Sequence, residues 1–155
     1  MIEIKDCEFS NPEHCQALID LMNYYMADEM GGKLPAHEGE MAEKLVEGMK
    51  NHPSKLVLLA VIEGEFVGLT NCFINFGTFA CKLFINVHDV VVRPDFRGKG
   101  VGRALMNGII ARAEQMDCGK ITLEVREDNP KAQALYKSVG FDESEPVMHF
   151  WSKYF

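Results

Sequence analysis

The sequence predicts an α+β fold built on a largely antiparallel sheet. Three observations carry this reading: four stretches with helical apolar spacing or helix caps, six stretches with strand-like alternation or β-branched content, and an order that departs from strict strand–helix alternation. With 155 residues, 47% hydrophobic and 25% charged, the chain suits one domain over residues 1–155, able to bury a core without metal or disulfide.

Residues 2–6 open as a strand. Ser10, Asn11, Pro12 and Glu13 join a capping box to an early-turn proline and start a helix. Its stripe is Cys15, Leu18, Ile19, Met22, Tyr25 and Met26, and Gly31 and Gly32 close it. A second helix spans about residues 36–50, with Met41, Leu45 and Met49 inward and Pro53 beyond its end. Residues 56–62 read as a buried strand that turns at Glu63, Gly64 and Glu65 into a hairpin partner at 66–76. After a turn at Gly77 comes a β-branched and aromatic strand over 82–92, stopped by Pro94 because proline has no N–H for a ladder. A third helix covers about 101–117 and Gly119 closes it. Residues 121–126 alternate, with Ile121, Leu123 and Val125 on one face and Thr122, Glu124 and Arg126 on the other. The fourth helix starts at the Asn129 cap with Pro130 first and stops at Gly140, and residues 147–154 read as a last strand.

Composition narrows the function classes. The longest apolar run is the seven residues from Leu56 to Ile62, well below the ~18 that a membrane-spanning helix needs. The first ten residues carry no signal-peptide pattern, so the expected location is the cytoplasm. Cys7, Cys15, Cys72, Cys81 and Cys118 are odd in number, scattered and never C-x-x-C, which predicts reduced, mostly buried thiols and no metal site. A net charge of −7 argues against a nucleic-acid binder. Against that acidic background, residues 93–103 hold four basic side chains and one acidic, a local anion site or a solvated cluster.

The basic stretch contains Arg97, Gly98, Lys99, Gly100, Val101 and Gly102 between a predicted strand and a predicted helix. Glycines let successive N–H groups turn inward together, and the helix start adds free N–H groups and the positive end of its dipole; this is the chemistry of a pyrophosphate cradle. The dinucleotide fingerprint fails because Arg103 or Leu105 stands where it needs glycine, and the Walker loop fails at Arg93 and Gly100. About thirty residues on stand Asn129, Ala132, Leu135, Tyr136, Gly140 and Phe141. Together these motifs resemble the GCN5-related N-acetyltransferase (GNAT) family. Arg97, Gly100 and Gly102 meet its R/Q-x-x-G-x-G/A acyl-CoA loop, and residues 129–141 meet its N-x-x-A-x-x-L-Y-x-x-x-G-F helix. The match is specific over residues 87–141 and general before residue 60.

The resemblance implies a GNAT-like fold: a mixed, mostly antiparallel sheet of six to seven strands flanked by about four helices. It implies an acetyl-CoA-dependent N-acetyltransferase, in which a primary amine, here a small cationic one, attacks the thioester directly in a ternary complex, without metal. Backbone amides from Arg97 to Gly102 would hold the CoA pyrophosphate, with Arg97, Lys99 and Arg103 adding charge. Val90, Val91 and Val92 would pair with the pantetheine arm along a bulged strand, and an amide of Val90 or Val92 would polarise the carbonyl. Asn129 would contact the arm, cap its helix, or both. Tyr136 would protonate the leaving thiolate, or it is a core tyrosine. For the general base the residues offer Asp89, Glu124 and His88, and the bulge leaves open which of the neighbouring pair faces the substrate. Tyr24, Tyr25, Asp28 and Glu29 combine aromatic faces and carboxylates suited to a cationic acceptor. Rival readings are a non-catalytic acyl-CoA sensor and a protein N-terminal or lysine acetyltransferase. A homodimer paired through the aromatic end segment is a further expectation.

Overall fold

The computed structural model describes residues 1–155. Its elements are β1 (Glu3–Asp6), α1 (Pro12–Ala27), α2 (Glu40–Asn51), β2 (Lys55–Ile62), β3 (Glu65–Gly77), β4 (Lys82–Val92), α3 (Val101–Gln115), β5 (Lys120–Leu123) and α4 (Pro130–Ser138). The sheet has five strands in the order β1-β2-β3-β4-β5. The first three pairings are antiparallel, and β4 with β5 is parallel because α3 carries the chain back across the sheet.

Both faces of the sheet are covered. Leu58, Ala60, Val67, Ile85 and Val87 point to one face and meet Leu105, Met106 and Ile109 of α3. Val57, Leu59, Leu69 and Val91 point to the other and meet Ala17, Leu18 and Leu21 of α1. Adjacent Leu58 and Leu59 are both fully buried, on opposite faces, which explains why β2 reads as an unbroken apolar run. Gly68 lets α3 approach: a Cβ there would lie 2.8 Å from Val101 Cγ1 and 3.0 Å from the Val91 carbonyl oxygen.

Several expectations need correction. The sheet lacks the sixth and seventh strands, because residues 147–154 form no strand and stand exposed. Strand β5 stops at Leu123 rather than 126, since its pairing with β4 ends at Val87, where β4 bulges. Asn11, not Ser10, caps α1, its Oδ1 accepting from Glu13 N–H at 2.9 Å. The buried face of α1 is His14, Ala17, Leu18 and Leu21, rotated from the predicted stripe so that Ile19 is only half-buried. His14 tolerates this position because its Nδ1 accepts from Glu8 N–H at 2.9 Å and its ring stands edge-on to Phe66. Helix α2 begins at Glu40 behind Gly39 (φ 51°), and Met41 is exposed while Leu45, Val46 and Met49 pack inward. Of the five cysteines only Cys72 is buried; Cys81 is exposed and the others are half-buried.

Candidate active site

The site begins where the sheet comes apart. Asn71 of β3 pairs with Asp89 and Cys72 pairs with Val87, so His88 is the extra residue of a bulge in β4. Beyond the bulge β4 continues beside β3 alone, while residues 124–126 leave the sheet. A cavity of about 120 Å³ lies in this splay, lined among others by Tyr25, Val87, His88, Val90, Glu124, Arg126, Asn129 and Tyr136. Opening two adjacent strands frees backbone groups that a continuous ladder would consume.

Helix α4 delivers Tyr136 to this cavity. Asn129 Oδ1 caps α4 by accepting from Ala132 N–H at 3.2 Å, and Pro130 pre-sets the first turn. Gln133, a residue that sequence reasoning missed, donates to the carbonyls of Arg126 and Glu127 at 2.9 and 3.0 Å and fixes the approach to the helix. Burial, with the neighbouring Tyr25 phenol second, pushes the Tyr136 hydroxyl up to about 12, so it stays protonated. Burial likewise raises Tyr25, ahead of the Asp89 carboxylate.

The three carboxylate and imidazole candidates occupy different positions. Glu124 and His88 line the cavity with Tyr136. The His88 ring stands edge-on to Phe73 at 5.6 Å. Asp89 is held toward α1, where Asn71 Nδ2 donates to its Oδ2 at 3.0 Å and also reaches Met22 Sδ at 3.3 Å. Asn71 is 2% exposed and its Oδ1 has no hydrogen-bond partner. Asn71, one of two asparagines in β3, stands among Leu69, Cys72 and Phe73, and an amide amid such apolar neighbours was the available sequence signal for it, because a buried one is retained only with a partner.

Below the splay, β4 runs into the glycine loop. Gly98 and Gly100 adopt φ of 75° and 86°, and Gly100 is the left-handed N-cap of α3. None of the backbone N–H groups from Gly98 to Arg103 bonds within the chain, the first helical bond being Ala104 N–H to the Gly100 carbonyl at 3.0 Å. The first turn of α3 holds no acidic residue. Lys99 lies over the Phe96 ring at 4.7 Å, and Arg103 donates to Ser138 Oγ at 3.0 Å. Gly102 serves the contact of α3 with α4, since a Cβ there would be 3.0 Å from Leu135 Cδ2. Val91 is buried against α1, while Val90 and Val92 pack on the α3 side. A row of free amides, a helix dipole and three nearby cations fit a pyrophosphate.

The four acceptor-side candidates separate. Asp28 Oδ2 accepts from Arg97 Nη2 at 2.9 Å, and Arg97 Nε also donates to the Val92 carbonyl, so the end of α1 is tied to the glycine loop. The Met30 N–H, then Arg97, hold the Asp28 carboxyl below its usual range. Glu29 is exposed on the side of Arg126, whose guanidinium pairs with Asp128 at 2.7 and 2.8 Å. Tyr25 lines the cavity. Tyr24 does not; it lines a wider groove of about 850 Å³ between α1 and the β2–β3 turn. No three metal-ligating side chains cluster anywhere in the structure. No helix is long and apolar enough to cross a membrane.

Comparison with known proteins settles what this arrangement belongs to. The model of the acetyltransferase (GNAT) family matches residues 18–141, spanning the bulged strand, the glycine loop and the tyrosine helix together. The chain belongs to the GNAT acetyltransferase family. It is an acyltransferase, and its family implies the use of acetyl-CoA. This acetyltransferase is 31% identical over 102 residues to the uncharacterized N-acetyltransferase YhfO of Bacillus subtilis (strain 168), covering 66% of this chain and 68% of the relative. Its fold matches a transcriptional regulator from Bacillus halodurans C-125 with a TM-score of 0.83 at 19% identity, over 100% of both chains. It also matches an aminoglycoside acetyltransferase from an uncultured soil metagenomic sample, solved with sisomicin, with a TM-score of 0.80 at 16% identity, over 99% of this chain and 96% of the other.

Proposed function

We propose that this acetyltransferase moves the acetyl group of acetyl-CoA to the primary amine of a small cationic acceptor, by direct attack with both substrates bound. The observation that carries the proposal is the meeting of Tyr136 with Glu124 and His88 in one cavity at the splay, continuous along β4 with a loop of free amides. When bound, acetyl-CoA supplies a thioester carbonyl already activated toward an amine. The amides of Gly98 to Arg103 hold its pyrophosphate, with Arg97, Lys99 and Arg103 beside them. The backbone of Val90 to Val92 directs the arm toward the splay.

Within the cavity, Glu124 accepts the ammonium proton, directly or through water, before the nitrogen attacks. Tyr136 gives its phenolic proton to the departing sulfur. Its raised pKa does not oppose this step, because the burial that disfavours phenolate disfavours thiolate as well. Asp89, held by Asn71 behind the bulge, orients the strand and adds negative potential near Tyr25. A cationic acceptor suits Glu124, Glu29 and the Tyr25 ring, and the neighbouring Arg126 is occupied by Asp128. The aminoglycoside enzyme of similar fold acts on such a polycation, which supports the substrate class.

Replacing Tyr136 by Phe tests the reading. Thiol release from acetyl-CoA with a panel of polyamines, aminoglycosides and amino acids is expected to fall by about 10²-fold or more, with acetyl-CoA affinity within about twofold of the parent. An unchanged rate removes Tyr136 from the chemistry. Parallel measurement of Glu124→Gln, Asp89→Asn and His88→Gln is expected to place the largest loss of kcat at Glu124.

A further inference from the structure

We infer that Gln133 is a positioning residue of the acetyl transfer, its side-chain amide holding the segment that carries Glu124 at a fixed place beside Tyr136; this role rests on the chemistry proposed above for those two residues. Residues 124–128 form neither strand nor helix and stand exposed. From Val125 to Asp128 the backbone makes a single bond to other backbone, Asn129 N–H to the Arg126 carbonyl at 3.1 Å. The Arg126–Asp128 ion pair lies within the segment and shapes it without fastening it to the body, and Arg126 Nη1 reaches the Met30 carbonyl only at 3.5 Å. A stretch with so few bonds opens easily unless something else holds it.

Gln133 supplies the hold. Its Nε2 donates to two successive carbonyls, Arg126 at 2.9 Å and Glu127 at 3.0 Å, and so uses both of its protons. No other hydrogen bond joins α4 to residues 124–128. On the near side of Glu124, Leu123 is the last residue of β5 and pairs with Val87. Glu124 and Val125 therefore bridge two anchors, and two residues reach only about 7 Å when fully extended. Gln133 and Tyr136 are three residues apart in α4, neighbours on its surface, so the turn of helix that presents the phenol also grips the strand exit that presents the carboxylate. Tyr136 and Glu124 line the cavity and Gln133, half-buried, does not, so it acts through the segment it holds. Such a hold matters to the rate, because a misplacement of about 1 Å in a reacting pair costs on the order of 10²-fold.

Two substitutions remove the donors. Gln133→Met keeps the length and helix preference of the side chain, and Gln133→Glu keeps its shape but sets a carboxylate against the two carbonyls. In thiol release from acetyl-CoA with the amine panel above, each is expected to lose kcat by about 10-fold or more at the parent's best acceptor, while the rise in melting temperature that acetyl-CoA produces stays that of the parent. Added to Glu124→Gln, Gln133→Met is expected to change kcat by less than about twofold, because it acts through a side chain already removed. Crystals of Gln133→Met are expected to show residues 124–127 displaced. Three results overturn the inference and leave the proposed reaction standing: parent kcat in either Gln133 variant while Glu124→Gln is slow, losses that multiply in the double variant, or residues 124–127 unmoved in the Gln133→Met crystals, a readout that needs no acceptor. Parent kcat in Glu124→Gln instead removes Glu124 from the chemistry, and the role of Gln133 falls with it.

Discussion

At the scale of single residues, the least expected contact is Asn71 with Asp89. It buries an amide in the middle of an apolar strand and uses its Nδ2 to hold a carboxylate at 3.0 Å behind the bulge. Replacing Asn71 by Leu leaves the Asp89 carboxylate without that donor and is expected to cost about 1–3 kcal/mol by urea denaturation. Adding Asp89→Asn in the same background is expected to restore part of the loss, because the stranded charge is gone. Additive costs would show that the two side chains act independently. Neither partner's role was legible from sequence position. Asp89 and His88 are neighbours in a strand, and alternation alone assigns them opposite faces; only the register jump from Asn71–Asp89 to Cys72–Val87 shows that His88 is the bulged residue.

Among the elements, glycines divide by what their backbone must do. Gly100 caps α3 at φ 86°, a conformation an L side chain resists, so Gly100→Ala is expected to lower stability by about 1 kcal/mol. It is also expected to shrink the rise in melting temperature that acetyl-CoA produces. Gly48 lies inside α2, where an added Cβ would meet nothing within 4 Å, and Gly48→Ala is expected to raise stability by about 0.5–1 kcal/mol. Thermal unfolding of the two variants, with and without acetyl-CoA, checks both signs. Helix caps and the glycine loop were readable because they are local: Asn129 and Pro130 need only their own next turn. The start of α2 and the end of β5 were not, because both are set by tertiary contacts.

For the whole molecule, burial of thiols links stability to alkaline pH. Burial pushes Cys72 up to about 11 and Cys7 up to about 12, from an ordinary value of 9.0. The unfolded chain therefore loses these protons first. Between about pH 9 and 11 the native state binds more protons than the unfolded one, so stability falls as pH rises through that window and is unaffected by these thiols below it. The melting temperature is expected to decline from pH 9 upward. Cys72→Ala is expected to flatten the decline over pH 9–11; an unchanged slope assigns it to other groups.

By itself the sequence determined the order of the elements from β1 to α4, the α+β class, the glycine loop and the helix that carries Tyr136, because each depends on residues close together in the chain. It also carried both family motifs, over the region where the family model matches. Tertiary structure alone decided which of the candidate side chains share a cavity. Glu124, His88, Tyr25 and Tyr136 come together through the splay of β4 from β5, while Tyr24 turns to another groove and Asp28 is tied to Arg97. The splay arises from one extra residue in one strand, and that depends on the pairing partner across the sheet rather than on the residue itself. The fate of residues 147–155 is of the same kind. Their alternation reads as a strand, but they form none and stand exposed.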